Sequence, residues 1–583
     1  MLVLLPVFNH VDTLAASSGE LCGTLGFTSN CFDIAVYSAG IAGKDGEIIG
    51  VPVEIDLAVT RGSGAVFVHV EPVFDEDLAL FTKISALVAS AVAGRRFSDY
   101  NYYVLIKSPT AVARGPSLSA AIGLGFALAL LEVEVGKPVA ATGILMPDGG
   151  IGPVGHLVEK IVALSAVAGK IYVPAAEVGA QLGGTSLNLT ELGRTLGVEI
   201  VGVSALDEVL RHLGIEVKYA TADIALPLSE VLVKLASYLT TALERTLEEV
   251  AEVCGESAVS ELGIHLELLK NSTSTVRAIG YATSALLRAR STAWLCRIER
   301  GSASLADLVH LSLEKLRLAE GSCHFYSRIA GFEFGRVVAY STICLHLLDA
   351  WEEFNESSEA LDLVGVVRGL VRSVLTANIV AASLNLLSGE GLEEPGRDLE
   401  SRRVLLLFNY TSALLDSLRV WLAESASHSR HLDLLQRYLQ VGAGLTSSSP
   451  SLSLAYVLKV LYELNLFLYL TYYVDSLRVE SIRGRALVYA DLSKSSVVRS
   501  LVEFGDSCAE AGWGFSDCLE AYLKASTLGF AITYLSATRA PTPAGYGLVP
   551  VYAAAAVLVL SVAIALLSRR GRVFSSPLRR PPR

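Results

Sequence analysis

From Gly547 to Leu567 the chain reads GLVPVYAAAAVLVLSVAIALL, a run of 21 residues without a charge. About 20 apolar residues in a helix span the hydrocarbon core of a bilayer, so 547–567 is expected to be a transmembrane helix. A proline-containing linker, 539–546, precedes it, which argues against burial in a soluble core. The tail that follows, 568–583, carries Arg569, Arg570, Arg572, Arg579, Arg580 and Arg583, whereas only Arg539 is basic at the same reach on the other side. The positive-inside rule then puts the tail in the cytoplasm and the body of the chain outside. Such a placement needs an export signal, and residues 1–19 are read as a short signal-like segment. Leu2 to Phe8 is apolar and Leu14-Ala15-Ala16-Ser17 offers a small-residue cleavage site, although no Lys or Arg precedes the apolar run. The alternative is a tail-anchored protein facing the cytoplasm.

The rest of the chain is long enough for two to four domains at roughly 150 residues each. Of its 583 residues, 52% are hydrophobic and 18% charged, with a mean hydropathy of +0.49. Disorder needs the opposite balance. The net charge of −12 argues against a nucleic-acid partner, which would select a basic surplus. Eight cysteines include two local pairs, Cys22 with Cys31 and Cys508 with Cys518, of the kind that forms disulfides in an oxidising compartment. None has zinc-ligand spacing. No metal or other cofactor is expected.

Residues 30–215 read as an α/β region. Val53, Ile55, Leu57 and Val59 alternate with Glu54, Asp56 and Thr60, as a strand with one core face should. Arg61-Gly62-Ser63-Gly64 is a turn signal, so Ala65 to Val70 is expected to return as the second strand of a β-hairpin. Helices are expected over 75–94, 117–135, 156–168 and 205–213, and strands over 102–107, 139–146, 171–173 and 199–203. From 220 to 538 the apolar spacing becomes helical, as at Leu232, Leu235, Leu239 and Leu243, and a packed helical domain of unassigned role is expected. Leu452 to Tyr473 is apolar enough to suggest a second span, but Lys459 and Glu463 within it favour a buried soluble helix.

The stretch from Ala113 to Lys160 carries the chemistry. Gly115-Pro116 makes a turn and Ser117 opens a helix, where free N–H groups and the positive dipole end offer an oxyanion site. As an N-cap, Ser117 would be unremarked. Thr142-Gly143 ends a strand, and Lys160 follows Glu159 early in the next helix. In combination these residues resemble the proteolytic domain of Lon-type serine proteases. That family places its nucleophile in a GPSxG-like turn and its lysine base in a GxxxEK-like turn. Here Gly115-Pro116-Ser117 and Gly155-His156-Leu157-Val158-Glu159-Lys160 occupy those places, 43 residues apart from serine to lysine, with Thr142-Gly143 and Pro153-Val154-Gly155 between them. The resemblance covers about residues 45 to 215 and is strongest to the archaeal branch that has no ATPase domain and a C-terminal membrane anchor. Leu118 and Ser119 replace the common Ala-Gly, His156 replaces a glycine, Ile144 a glutamate, and Arg114 stands where many relatives are acidic or have glycine.

The resemblance implies an α/β Lon-type proteolytic domain, then an all-α domain and one C-terminal transmembrane helix. It implies an endopeptidase with a Ser117–Lys160 dyad, in which Thr142 orients the lysine amine. A free lysine with a pKa of about 10.4 is neutral in only about one molecule in 2500 at pH 7, so burial must depress it. The expected partners are polypeptide substrates and, through the anchor, membrane lipid; a homo-oligomer is compatible with this. The chain contains no GxxxxGK[ST] phosphate loop, so ATP-independent cleavage of unfolded or membrane-associated polypeptides is expected. Two rivals stand beside this reading: a small-molecule kinase of the GHMP type, which leaves Lys160 unexplained, and a catalytically inactive Lon-like scaffold, for which Arg114 argues.

Overall fold

A computed structural model describes residues 20–536, apart from 45–46, 72–75, 109–115, 179–180, 183–184, 187–188, 218–229, 261, 263–266, 268, 273–274, 331–333, 389–400, 423–425, 474–478, 494 and 511–514. The expected signal-like segment 1–19, linker, transmembrane helix 547–567 and tail 568–583 lie outside the described residues, as does Arg114.

The first half is an α/β region. Its strands are β1 (Cys31–Lys44), β2 (Glu47–Arg61), β3 (Val66–Glu71), β4 (Tyr100–Lys107), β5 (Val139–Ala141), β6 (Ile144–Leu145), β7 (Ile151–Gly152), β8 (Lys170–Pro174), β9 (Gln181–Leu182), β10 (Thr185–Ser186) and β11 (Glu199–Val203). Its helices are α1 (Leu21–Thr24), α2 (Glu76–Val92), α3 (Ser119–Leu130), α4 (Leu157–Leu164), α5 (Ala175–Val178), α6 (Leu189–Leu196) and α7 (Leu206–His212). Seven strands form one mixed sheet in the order β11-β8-β5-β1-β2-β4-β3.

Val53, Ile55, Leu57 and Val59 are buried, as their alternation requires. The two faces are covered by different helices. A Cβ on Gly125 of α3 would meet Leu57, whereas a Cβ on Gly50, seven residues away on β2 and so on the opposite face, would lie 1.9 Å from the Glu159 carbonyl of α4. Only glycine lets α4 approach that closely.

The expected β-hairpin of β2 with β3 does not form. β2 pairs antiparallel with β1, and β4 lies between β2 and β3, antiparallel to the first and parallel to the second. The reason lies in the turn. Its N–H groups bond to the start of β4: Gly62 to Asp99 C=O, Gly64 to Tyr100 C=O, and Ser63 and Ala65 to Asn101 Oδ1.

The second half is helical: α8 (Glu230–Cys254), α9 (Glu256–Ser260), α10 (Thr275–Glu299), α11 (Leu305–Ala330), α12 (Phe334–Ser357), α13 (Leu363–Ser388), α14 (Ser401–Leu422), α15 (Ala426–Gly444), α16 (Pro450–Tyr472), α17 (Val479–Ser493), α18 (Ser496–Glu510) and α19 (Phe515–Ser536). Leu235, Leu239 and Leu243 form the buried stripe of α8. Two helices are long and apolar enough to cross a membrane, Leu363–Leu387 and Pro450–Thr471, and most of each is buried against its neighbours. In the second, Lys459 Nζ lies 2.5 Å from Asp349, 2.7 Å from Glu352 and 2.9 Å from Glu463, so its two charges are paired inside the helical packing.

All eight cysteines are paired. Cys22–Cys31 and Cys508–Cys518 form as their proximity suggests, and Cys254–Cys296 and Cys323–Cys344 join neighbouring helices.

Candidate active site

Ser117 sits in a single 3-10 turn, Pro116–Leu118, that leads into α3. It is half-buried, and its hydroxyl makes no hydrogen bond among the described residues. Ser119, two residues on, is different. It is buried, its Oγ accepts from Leu145 N–H at 2.8 Å and donates to Pro116 C=O at 2.6 Å, so its hydroxyl is committed to holding the turn. Of the two serines, Ser117 is the one left available for chemistry.

The turn is tied to the end of β5. Gly143 N–H donates to Ser117 C=O at 3.1 Å, and Ala120 N–H donates to Gly143 C=O at 3.2 Å. A Cβ on Gly143 would come within 2.4 Å of Ile151, so the approach depends on glycine. The neighbouring Thr142 is anchored through its N–H to Tyr172 C=O of β8 and is buried. Its Oγ1 has no hydrogen-bond partner among the described residues, so the expected bond from Thr142 to the lysine amine is not made in this state.

Lys160 lies in the first turn of α4. Its N–H bonds to His156 C=O at 3.2 Å. His156 has φ of +58°, the left-handed region that favours glycine. The His156 side chain is exposed. Lys160 is only 4% exposed, and burial pushes its amine down to about 8, with Glu177 and Glu159 pulling weakly the other way. No hydrogen bond joins Lys160 Nζ to Ser117 Oγ. Lys107 is held elsewhere, 2.7 Å from both Glu54 and Asp56.

Glu177 was not anticipated from sequence. It stands in α5, directly after β8, and is 2% exposed. One carboxylate oxygen accepts from Val154 N–H at 2.5 Å, and the other has no partner among the described residues. Burial pushes this carboxyl up to about 8, against the opposing pull of the Val154 N–H and of Lys160. The one signal in the sequence is an acidic residue at the C-terminal end of a short apolar strand, where α/β sheets carry their sites.

The loop between Thr142 and Lys160 is gripped by the helical region. Tyr410 OH donates to Leu145 C=O at 3.0 Å, Tyr489 OH to Pro147 C=O at 2.6 Å, and Tyr473 OH to Ile151 C=O. Tyr469 OH bonds Asp148 at 2.6 Å, and Arg485 reaches Asp207 at 2.7 Å and Tyr469 OH at 3.2 Å. All five side chains are buried.

No family model matches the chain, and no curated protein is significantly similar to it.

Proposed function

We propose that the chain is a membrane-anchored serine endopeptidase of the Lon type that works without ATP on unfolded or membrane-associated polypeptides. Ser117 Oγ attacks the peptide carbonyl carbon while neutral Lys160 Nζ takes its proton. The oxyanion that forms is received at the N-terminal end of α3, and collapse of the intermediate expels the amine, which recovers the proton from Lys160. Water then hydrolyses the acyl-enzyme by the same route.

The observation that carries this reading is the burial of Lys160. With its amine at about 8, roughly one molecule in ten is neutral at pH 7, against about one in 2500 for an unperturbed lysine. A surface lysine has no such property, and a perturbed base together with an uncommitted serine suits acyl transfer. Ser117→Ala and Lys160→Ala should each abolish hydrolysis of an unfolded casein-type substrate without loss of fold. Undiminished cleavage by Ser117→Ala would refute the assignment.

The missing Ser117–Lys160 hydrogen bond favours a second reading, an inactive Lon-like scaffold, although catalytic hydrogen bonds often tighten only when substrate is bound. Labelling of Ser117 by a fluorophosphonate separates the two. The proposed placement is a single span at 547–567 with residues 30–538 outside the cell. The four disulfides and the arginine-rich tail support it. Protease added to intact cells should then digest residues 30–538.

A further inference from the structure

Two stripes of cations in the helical region play no part in the chemistry at Ser117. On α8, Lys234, Tyr238 and Arg245 recur at helical spacing, and on α10 Arg290, Trp294 and Arg297 do the same. Residues at such spacings share a helix face. Both stripes line one cavity of about 710 Å³, which Leu308 of α11 and Val371 of α13 complete with apolar surface. Four cations and one carboxylate, Glu249, line it, in a chain whose net charge is −12.

The cations differ in how they are satisfied. Arg297 pairs with Glu249 at 2.8 Å and lies 5.8 Å from the centre of the Trp294 ring. Arg290 and Arg245 have no hydrogen bond or ion pair among the described residues. Arg245 is exposed, whereas Arg290 is half-buried. Burial pulls its guanidinium below its usual value, and Tyr238 and Glu249 offset this only in part. Glu249 is already paired with Arg297, so a further anion delivered by a ligand would offset the desolvation of Arg290.

We propose that this cavity binds a phosphate-headed amphiphile, its phosphate monoester held by Arg290, Arg245 and Lys234 and its apolar body against Trp294, Leu308 and Val371. A phosphate monoester carries about −1.5 to −2 charges at pH 7, which answers the two guanidinium groups of Arg290 and Arg245 better than a single carboxylate does. Planar guanidinium groups bind its oxygens in pairs. The volume falls within the range of about 300–1,000 Å³ typical of small-molecule sites. The same chemistry is offered by a membrane lipid with a terminal phosphate and by a soluble aryl or alkyl phosphate.

The test is calorimetric titration of the full chain in detergent with dihexanoyl phosphatidic acid and with phenyl phosphate, using dihexanoyl phosphatidylcholine as the control without a monoester. At least one phosphate monoester should bind and phosphatidylcholine should not. Tighter binding of phosphatidic acid points to the membrane as the source, and tighter binding of phenyl phosphate to a soluble compound. Arg290→Gln and Arg245→Gln should each weaken binding about tenfold or more, the loss expected for a charge-assisted contact. Arg245 is exposed, so its variant keeps the fold and the test stays readable even if Arg290→Gln unfolds. Ser117→Ala protein should bind as the parent does. The proposal is overturned if neither monoester binds, if phosphatidylcholine binds equally well, or if the Arg245→Gln variant binds with the parent's affinity.

Discussion

Burial acts on Lys160 and Glu177 in opposite directions, pushing an amine down and a carboxyl up until both lie at about 8. Each is among the charges acting on the other, so the two would titrate as a pair and together shape the pH profile. If neutral Lys160 is the base, kcat/KM should rise with pH to a midpoint near 8. Glu177 pulls the lysine upward, so Glu177→Gln should move that midpoint to lower pH and raise the share of active enzyme at pH 7. An unmoved midpoint would mean that Glu177 does not act on the base.

The same shifts govern stability in separate windows. The Glu177 carboxyl, raised in the fold from 4.5 to about 8, contributes stability that is full below 4.5 and lost as pH rises through 8. Lys160, lowered from 10.5, contributes stability that is full above 10.5 and lost as pH falls to about 8. Melting temperatures of Glu177→Gln should therefore lose the decline between pH 5 and 8 and keep the rise above 8. Thr142 gives a further separation of roles. Its hydroxyl is buried without a partner, so Thr142→Val should leave the melting temperature unchanged or raise it. A fall in activity would then report on function alone, and an equal fall in both would make Thr142 structural. The local positions of Ser117, Thr142 and Lys160, in a turn, after a strand and in a first helical turn, were legible in the sequence because each has its own local signature. Glu177 was not, because its backbone partner is 23 residues away and its relation to Lys160 exists only once β8 is placed in the sheet.

Elements were legible where periodicity alone decides them. The strand over 199–203 and the change to helical spacing after 220 needed no tertiary information, whereas the pairing of β2 with β3 was misread because side-chain and backbone groups of β4 capture the turn between them. Helix α16 shows how two charges can override an otherwise apolar pattern. Lys459 joins Asp349 and Glu352 of α12 to Glu463 of its own helix, and Asp349 also receives Lys524 of α19 at 3.1 Å. Burial alone would raise the Asp349 carboxyl, but Lys459 and Lys524 hold it well below its ordinary value. Removing one partner of a buried ion pair costs about 3–5 kcal/mol, far more than the pair itself contributes. Lys459→Met should therefore destabilise the chain by about that amount in a denaturant titration. It would also leave three carboxylates whose oxygens lie within 4.8 Å of one another, a set suited to a hard cation. Millimolar calcium should then restore part of the loss in the variant and leave the parent unchanged. A variant as stable as the parent would show that the charges merely share the interior without depending on one another.

At the scale of the whole molecule, the helical region completes the loop from β6 to β7 instead of hanging beside the α/β region. Four tyrosines and Arg485 satisfy carbonyls and carboxylates of Leu145, Pro147, Asp148, Ile151 and Asp207. These partners are 265 to 342 residues apart in sequence for the tyrosine contacts, which is why no local pattern announced them. The loop runs between Thr142 and Lys160, so its position sets where α4 begins and where the lysine is buried. Stripped of the helices, residues 20–217 would expose the apolar face that α14, α16 and α17 cover and would lose every one of these hydrogen bonds. A single lost partner for a buried carbonyl costs about 1–3 kcal/mol, so Tyr489→Phe alone should be measurable and Arg485→Met, which takes a buried cation from Asp207 and Asp148, should be worse. The sharper prediction concerns the two halves. Residues 20–217 expressed alone should fail to cleave peptide or react with a fluorophosphonate, and co-expression with residues 230–536 should restore both through the tyrosine contacts. Tyr489→Phe combined with Arg485→Met in the second half should abolish that restoration. Full activity from residues 20–217 alone would mean that the loop holds its place unaided and that the helices serve only some separate purpose.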